Sequence, residues 1–226
     1  MKTIVLEKDE ALRRAADQIS GHMKEKPDSV IAMAAGRTML ELWEHLEPDC
    51  FSRAVCFQVS EFAGTPEDRS LRRMMEEHLL PATGLNAERC FWLNAESWEN
   101  YEAELQAAGG IDLAVFGIGT NGHIGFNEPA APFASRTRIQ KLTDKTRKQY
   151  VWLFDRESDV PEKAYTMGIR TLTEARQIMV IATGEEKSEA VFQMLYGRND
   201  STVPAAFLQV PANVTVYADL EAGHRL

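Results

Sequence analysis

The sequence predicts an α/β fold: a three-layer sandwich in which a mostly parallel, Rossmann-like central sheet is flanked by helices. Short apolar runs alternate with longer amphipathic stretches, the pattern of strands and helices following one another along one sheet. The runs 30–33, 113–116 and 178–182 are apolar at every position, as buried strands are. No repeat, low-complexity segment or Gly/Pro/Ser-rich linker interrupts the alternation, so residues 1–226 read as one domain.

Residues 9–23 place Leu12, Ala15, Ala16, Ile19 and Met23 on one helical face, and Pro27-Asp28 ends that helix ahead of the strand 30–33. Thr38 is placed to cap a helix that runs to Leu46 and buries Leu42 and Leu46. A second strand is expected over 54–59, a charged amphipathic helix over 67–80, a third strand over 91–93 and a helix over 96–108. The strand 113–116 is the clearest of all. Beyond residue 130 the pattern loosens into a strand at 138–142, a helix at 145–153 and a strand at 164–169. The strand 178–182 and the helix 186–195 follow. Pro204 suits the first turn of a helix, and 214–217 reads as the last strand.

The chain carries 34 acidic against 25 basic residues, a net charge of −9, and is 44% hydrophobic. Its 226 residues can therefore bury a core without disulfide or metal staples. The acidic surplus argues against nucleic acid as a partner, which demands clustered Lys and Arg. A small anion stays admissible, because the charge local to its pocket decides its binding. Cys50, Cys56 and Cys90 are odd in number and lack metal-type spacing, so they read as buried or partly buried thiols. The first residues form no apolar leader, and no window approaches the ~20 apolar residues a membrane span needs. A reducing cytoplasm is the expected compartment, with no membrane partner.

Chemistry concentrates in 117–129, Gly-Ile-Gly-Thr-Asn-Gly-His-Ile-Gly-Phe-Asn-Glu-Pro, which begins where the strand 113–116 ends. Ligands of open α/β sheets bind beyond the carboxyl ends of the strands, which favours a site here. Gly117, Gly119 and Gly122 match the G-x-G-x-x-G dinucleotide spacing. That fingerprint needs a helix at its last glycine, and Gly125, Asn127 and Pro129 disfavour one, so no nucleotide cofactor is expected. The loop instead holds His123, which titrates near neutrality, close in sequence to the carboxylate of Glu128. Two more loops follow apolar strands. Gly36, Arg37 and Thr38 in one, and Lys187 in the other, are suited to an anion. Together the three loops point to a ligand the size of a sugar phosphate.

The 117–129 stretch resembles the signature of the glucosamine-6-phosphate deaminase/isomerase family, and similarity runs along nearly the whole chain. Further blocks are Phe57-Gln58-Val59-Ser60-Glu61-Phe62, Ser135-Arg136-Thr137-Arg138-Ile139, 166–172, 183–187 and 204–209. The core from Gly122 to Pro129 differs from the Asp-Gly-His-Thr-Ala-Ser loop of the related 6-phosphogluconolactonases. The resemblance implies an enzyme of the hydrolase class acting on C–N bonds. It would open the ring of a 2-amino-sugar 6-phosphate, isomerise it through an enolamine, and release ammonia and a ketose phosphate. It implies His123 as ring-opening acid/base and Glu128 as its orienting partner. Gly36, Thr38 and Lys187 would hold phosphate, with Arg37, Glu61, Gly119 and Gly122 as further substrate-site positions. No metal or organic cofactor is implied, and the chain is expected to be a monomer or small homo-oligomer.

Departures from the family pattern are equally specific. Ser60 stands where the resemblance implies a proton-shuttling Asp, and Asn121 where it implies the acid of Asp-Gly-His. Asn121 at that position also resembles galactosamine-6-phosphate-type relatives. Glu61, next to Ser60, would point to the opposite face of a strand. Trp152 replaces an arginine near the phosphate, leaving Arg147 and Lys148 as stand-ins. Ala131, Arg138 and Gln140 stand at the positions of an allosteric effector site, so that site is not carried over. Two alternatives to an amino-sugar-phosphate deaminase follow: a sugar-phosphate-binding protein with weakened catalysis, or a lactone hydrolase.

Overall fold

A computed structural model describes residues 1–226. It opens with β1 (Lys2–Leu6), a strand the apolar pattern conceals because it lies at the sheet edge and pairs only with the last strand. The helix α1 (Lys8–Glu25) buries the five predicted apolar residues. Next comes β2 (Val30–Met33), buried at all four positions. Gly36, not Thr38, stands at the N-cap of α2 (Arg37–Trp43), so the Thr38 hydroxyl caps nothing. The strand β3 (Val55–Gln58) is followed after Val59 by β4 (Ser60–Phe62), a separate strand in a second sheet.

The charged helix expected at 67–80 is broken into α3 (Leu71–Met74), a wide turn at Met75–Leu79 and α4 (Leu80–Thr83). Pro81 has no N–H for the i→i−4 ladder, and the Leu80 N–H reaches back instead to Met75. A short β5 (Cys90–Phe91) follows. Asn94 then accepts the N–H groups of Glu96 and Ser97, which delays α5 to Tyr101–Ala107. The strand β6 (Leu113–Gly117) leads into the glycine-rich loop, and no helix opens there.

In the last third, β7 (Arg138–Lys141) precedes α6 (Asp144–Gln149), which Thr143 caps. The helix expected through 153 tightens into a separate turn at Val151–Leu153. The expected strand 164–169 is β8 (Lys163–Thr166) only: the Ser135 hydroxyl accepts the Ile169 N–H at 3.1 Å and starts α7 (Ile169–Thr173). The chain closes with β9 (Gln177–Ala182), α8 (Ser188–Tyr196), a turn with Pro204 at its first position, and β10 (Val214–Asp219).

Seven parallel strands form the central sheet in the order β1-β10-β9-β6-β2-β3-β5. From β2 the chain moves outward through β3 to β5; from β6 it moves the other way through β9 and β10. The order reverses between β2 and β6, and at such a switch point neighbouring loops diverge and leave a crevice. A three-stranded antiparallel sheet, β4-β8-β7, carries Ser60 over the carboxyl edge of the first sheet. One continuous apolar core spans both sheets, with Phe62 and Ala164 of the small sheet joined to Phe116 and Val180 of the large one.

Candidate active site

The crevice is a cleft of about 520 Å³. The loops after β2, β6 and β9 supply Gly36, Arg37 and Thr38, then Gly119 and His123, then Lys187. Ser60 enters from β4, and the end of α6 adds Lys148, Tyr150 and Trp152. Three separate strand ends therefore bring together most of the residues singled out in the sequence.

His123 is 5% exposed and lies directly on Gly119: a Cβ there would sit 2.2 Å from the ring. Only glycine admits the imidazole in this place. The loop returns on itself, with the Gly119 N–H bonded to the His123 carbonyl at 2.9 Å. Asn127 anchors its far side through bonds to the carbonyls of Ile124 and Met167, each 2.8 Å. Arg138 holds the Asn127 side-chain oxygen at 2.8 Å, so that arginine is spent on bracing the loop.

The ring's tautomer follows from its neighbours. Asn121 Nδ2 donates to Glu128 at 2.7 Å, which turns Asn121 Oδ1 toward His123 Nδ1, also at 2.7 Å. An amide oxygen can only accept, so Nδ1 carries the proton and Nε2 is the unprotonated nitrogen. Burial, and then the charges of Lys187 and Lys145, push the imidazole down to about 3, so it is neutral at physiological pH. Glu128 is 2% exposed and does not line the cleft. It orients His123 through Asn121 rather than by contact, and it is fixed by the Thr143 N–H at 3.0 Å. The amide at 121 thus transmits a hydrogen bond from carboxylate to imidazole without carrying charge itself.

The cleft also holds cations that no carboxylate pairs. Arg37, Lys148 and Lys187 make no ion pair, whereas Lys8 at the rim is bound to Glu41 at 2.8 Å. Burial lowers the Lys187 ammonium from its ordinary value; the charge of Glu186 opposes the fall, and Arg37 and Lys145 add to it. An arriving anion would relieve that repulsion. Thr38 and Thr183 bring their hydroxyls within 3.3 Å of each other between the first and third loops. The Arg37 guanidinium lies over the Trp152 ring, 5.3 Å from its centroid. The indole thus supports an arginine from another loop.

Several expected site residues lie elsewhere. Glu61 is 5% exposed and faces away from the cleft, as strand alternation requires. It accepts the N–H groups of Phe62, Leu71 and Arg72 and the Gln58 amide, anchoring the start of α3. Burial raises its pKa although those bonds oppose the rise. Arg147, expected as a stand-in beside the phosphate, lies outside the cleft lining and binds the carbonyls of Val160 and Glu157. Gly122, Asn121 and Glu128 lie outside the lining and act through loop shape or through His123. Gly122 has φ +80°, and a Cβ there would strike Val203. Ser60 does line the cleft, with no protein group bonded to its hydroxyl. Tyr150 was missed; its only sequence signal is its place two residues before Trp152, where a helix ends.

A family model described as glucosamine-6-phosphate isomerases/6-phosphogluconolactonase matches residues 7–217. The chain is 39% identical to a glucosamine-6-phosphate deaminase of Rhodopirellula baltica, over 99% of its own length and 94% of the relative's. It is 37% identical to glucosamine-6-phosphate deaminase 1 of Giardia intestinalis, with 93% and 85% covered. Among solved structures, a monomeric glucosamine-6-phosphate deaminase superposes with a TM-score of 0.92 at 31% identity, with 99% of each chain covered. A 6-phosphogluconolactonase from Leishmania guyanensis shares the fold, with a TM-score of 0.77 at 16% identity over 98% of this chain and 97% of that one.

Proposed function

The chain belongs to the glucosamine-6-phosphate isomerase/6-phosphogluconolactonase family, and we propose that it is an enzyme converting glucosamine or galactosamine 6-phosphate to the ketose phosphate and ammonia. The observation that carries this reading is a single cleft lined by a neutral imidazole, whose Nε2 has no protein partner, and by three cations that make no ion pair. A sugar phosphate has the complementary parts: a reacting C1–C2 end and a dianion several atoms away. The relatives named as deaminases support an amino sugar over a lactone.

In the proposed reaction, His123 Nε2 takes the proton of the anomeric hydroxyl as the C1–O5 bond breaks, and returns a proton to O5. Removal of the C2 proton from the open-chain aldehyde gives the enolamine, and protonation at C1 gives the 2-imine. Water adds to the imine and ammonia leaves. Ser60 offers a hydroxyl, a poor base near neutral pH, so His123 is the best-placed base for the C2 proton as well. Ammonia release from both amino-sugar phosphates tests the reading, and His123→Ala should lower it by ~10²- to 10⁴-fold. Ser60 also favours a second reading, a sugar-phosphate binder with weakened catalysis. Calorimetric binding with no ammonia from either sugar would select it.

A further inference from the structure

We propose that the Tyr150 hydroxyl is a hydrogen-bond donor to the sugar body of the ligand in the cleft that His123, Arg37 and Lys187 also line; this rests on the reading of that cleft as a sugar-phosphate site. The ring is part of the cleft wall and cannot swing. It stands edge-on to Phe62 at 5.1 Å between centroids and to Phe126 at 5.4 Å. Phe126 in turn lies beside His123, at 6.3 Å, so the phenol is fixed relative to the imidazole.

A tyrosine packed against the core usually finds a partner for its hydroxyl, and Tyr150 is a half-buried one. Tyr101 bonds to the carbonyls of Gln58 and Phe91 at 2.9 and 2.7 Å, and Tyr217 to Gln18 at 2.8 Å. The Tyr150 hydroxyl has no protein partner and points across the cleft at Gly36, where an added Cβ would come within 4.0 Å of it. Glycine keeps that space open. Burial, with the charges of Glu128 and Glu61, holds the phenol above its ordinary value, so it remains a neutral O–H donor.

Tyr150→Phe removes the oxygen and keeps the ring packing. Calorimetric titration of the native chain and the variant with glucosamine 6-phosphate and with inorganic phosphate separates the sugar from the anion. The expected result is up to about ten-fold weaker binding of the sugar phosphate, unchanged binding of inorganic phosphate, and an unchanged melting temperature. Unchanged sugar-phosphate binding would overturn the proposal. So would equal weakening of both ligands, or no binding of sugar phosphate by the native chain. Ammonia release is read separately: binding that depends on Tyr150 without ammonia sinks the deaminase reading and leaves this one standing.

Discussion

The two ends of the central sheet treat charge in opposite ways. At the amino end, Asp112 precedes β6 and is 3% exposed. It accepts from Lys26 at 2.7 Å, from the Val30 N–H at 2.9 Å and from Arg176 at 2.9 Å. Burial alone would raise this carboxyl, but the three donors outweigh it and hold it below its ordinary value. At the carboxyl end, Arg37, Lys148 and Lys187 face the cleft with no carboxylate partner, in a chain with 34 acids and 25 bases. Acids are plentiful, so the lack of pairing is a matter of placement. A buried charge that serves the fold is satisfied by the fold. The cleft's cations make no ion pair, and Glu186 offsets Lys187 only in part.

Removing one charge from each end should separate the two roles. Lys187→Ala is expected to raise the KM for the sugar phosphate by about 10- to 100-fold, the loss of one charge-assisted bond. Its melting temperature should be equal to or above the native value, because a half-buried, repelled ammonium has gone. A clear loss of stability with unchanged KM would place Lys187 among the structural charges and break the comparison. Asp112→Ala should do the reverse. Lys26 and Arg176 are half-exposed and return to water, so the cost is an orphaned Val30 N–H and lost charge-assisted bonds. That comes to about 2 kcal/mol in denaturant unfolding. Turnover below the transition should match the native rate; a fall in KM or kcat there would show that the two ends are coupled.

What was legible in the sequence follows the same division. His123, its glycines and Glu128 could be read because they are contiguous and because Gly125, Asn127 and Pro129 forbid a helix. The anion end could be read only as three loops, since the switch point between β2 and β6 that joins them is long-range topology. Glu61 was misplaced because its role depends on the N–H groups of Leu71 and Arg72, ten and eleven residues away. Strand alternation already argued that it faced away from Ser60. Tyr150 was invisible because its value lies in an unspent hydroxyl, and only the packing of Phe62 and Phe126 determines where that points. Helix ends were misread where one side chain intervened: Asn94 before α5, Ser135 before α7 and Pro81 within the 67–80 segment.

The smallest expected effect sharpens the comparison most, because it concerns a charge held by neither an acid nor water alone. Arg37 rests on the Trp152 indole, which is 36% exposed. A cation over a ring face attracts without neutralising, so Trp152 can hold the guanidinium in place and still leave its N–H groups free for an anion. A carboxylate at 152 would hold it more strongly and use up those donors. At an exposed site the contact is worth about 0.5–1 kcal/mol. Trp152→Ala should therefore raise the KM about two- to five-fold with little change in kcat, and Trp152→Phe should recover most of the loss. In an Arg37→Ala background, Trp152→Ala should add nothing, since the ring then has no cation to position. The same fold-change in both backgrounds would show that the indole contacts the ligand directly, and the charge at this end would then be held by its loop alone.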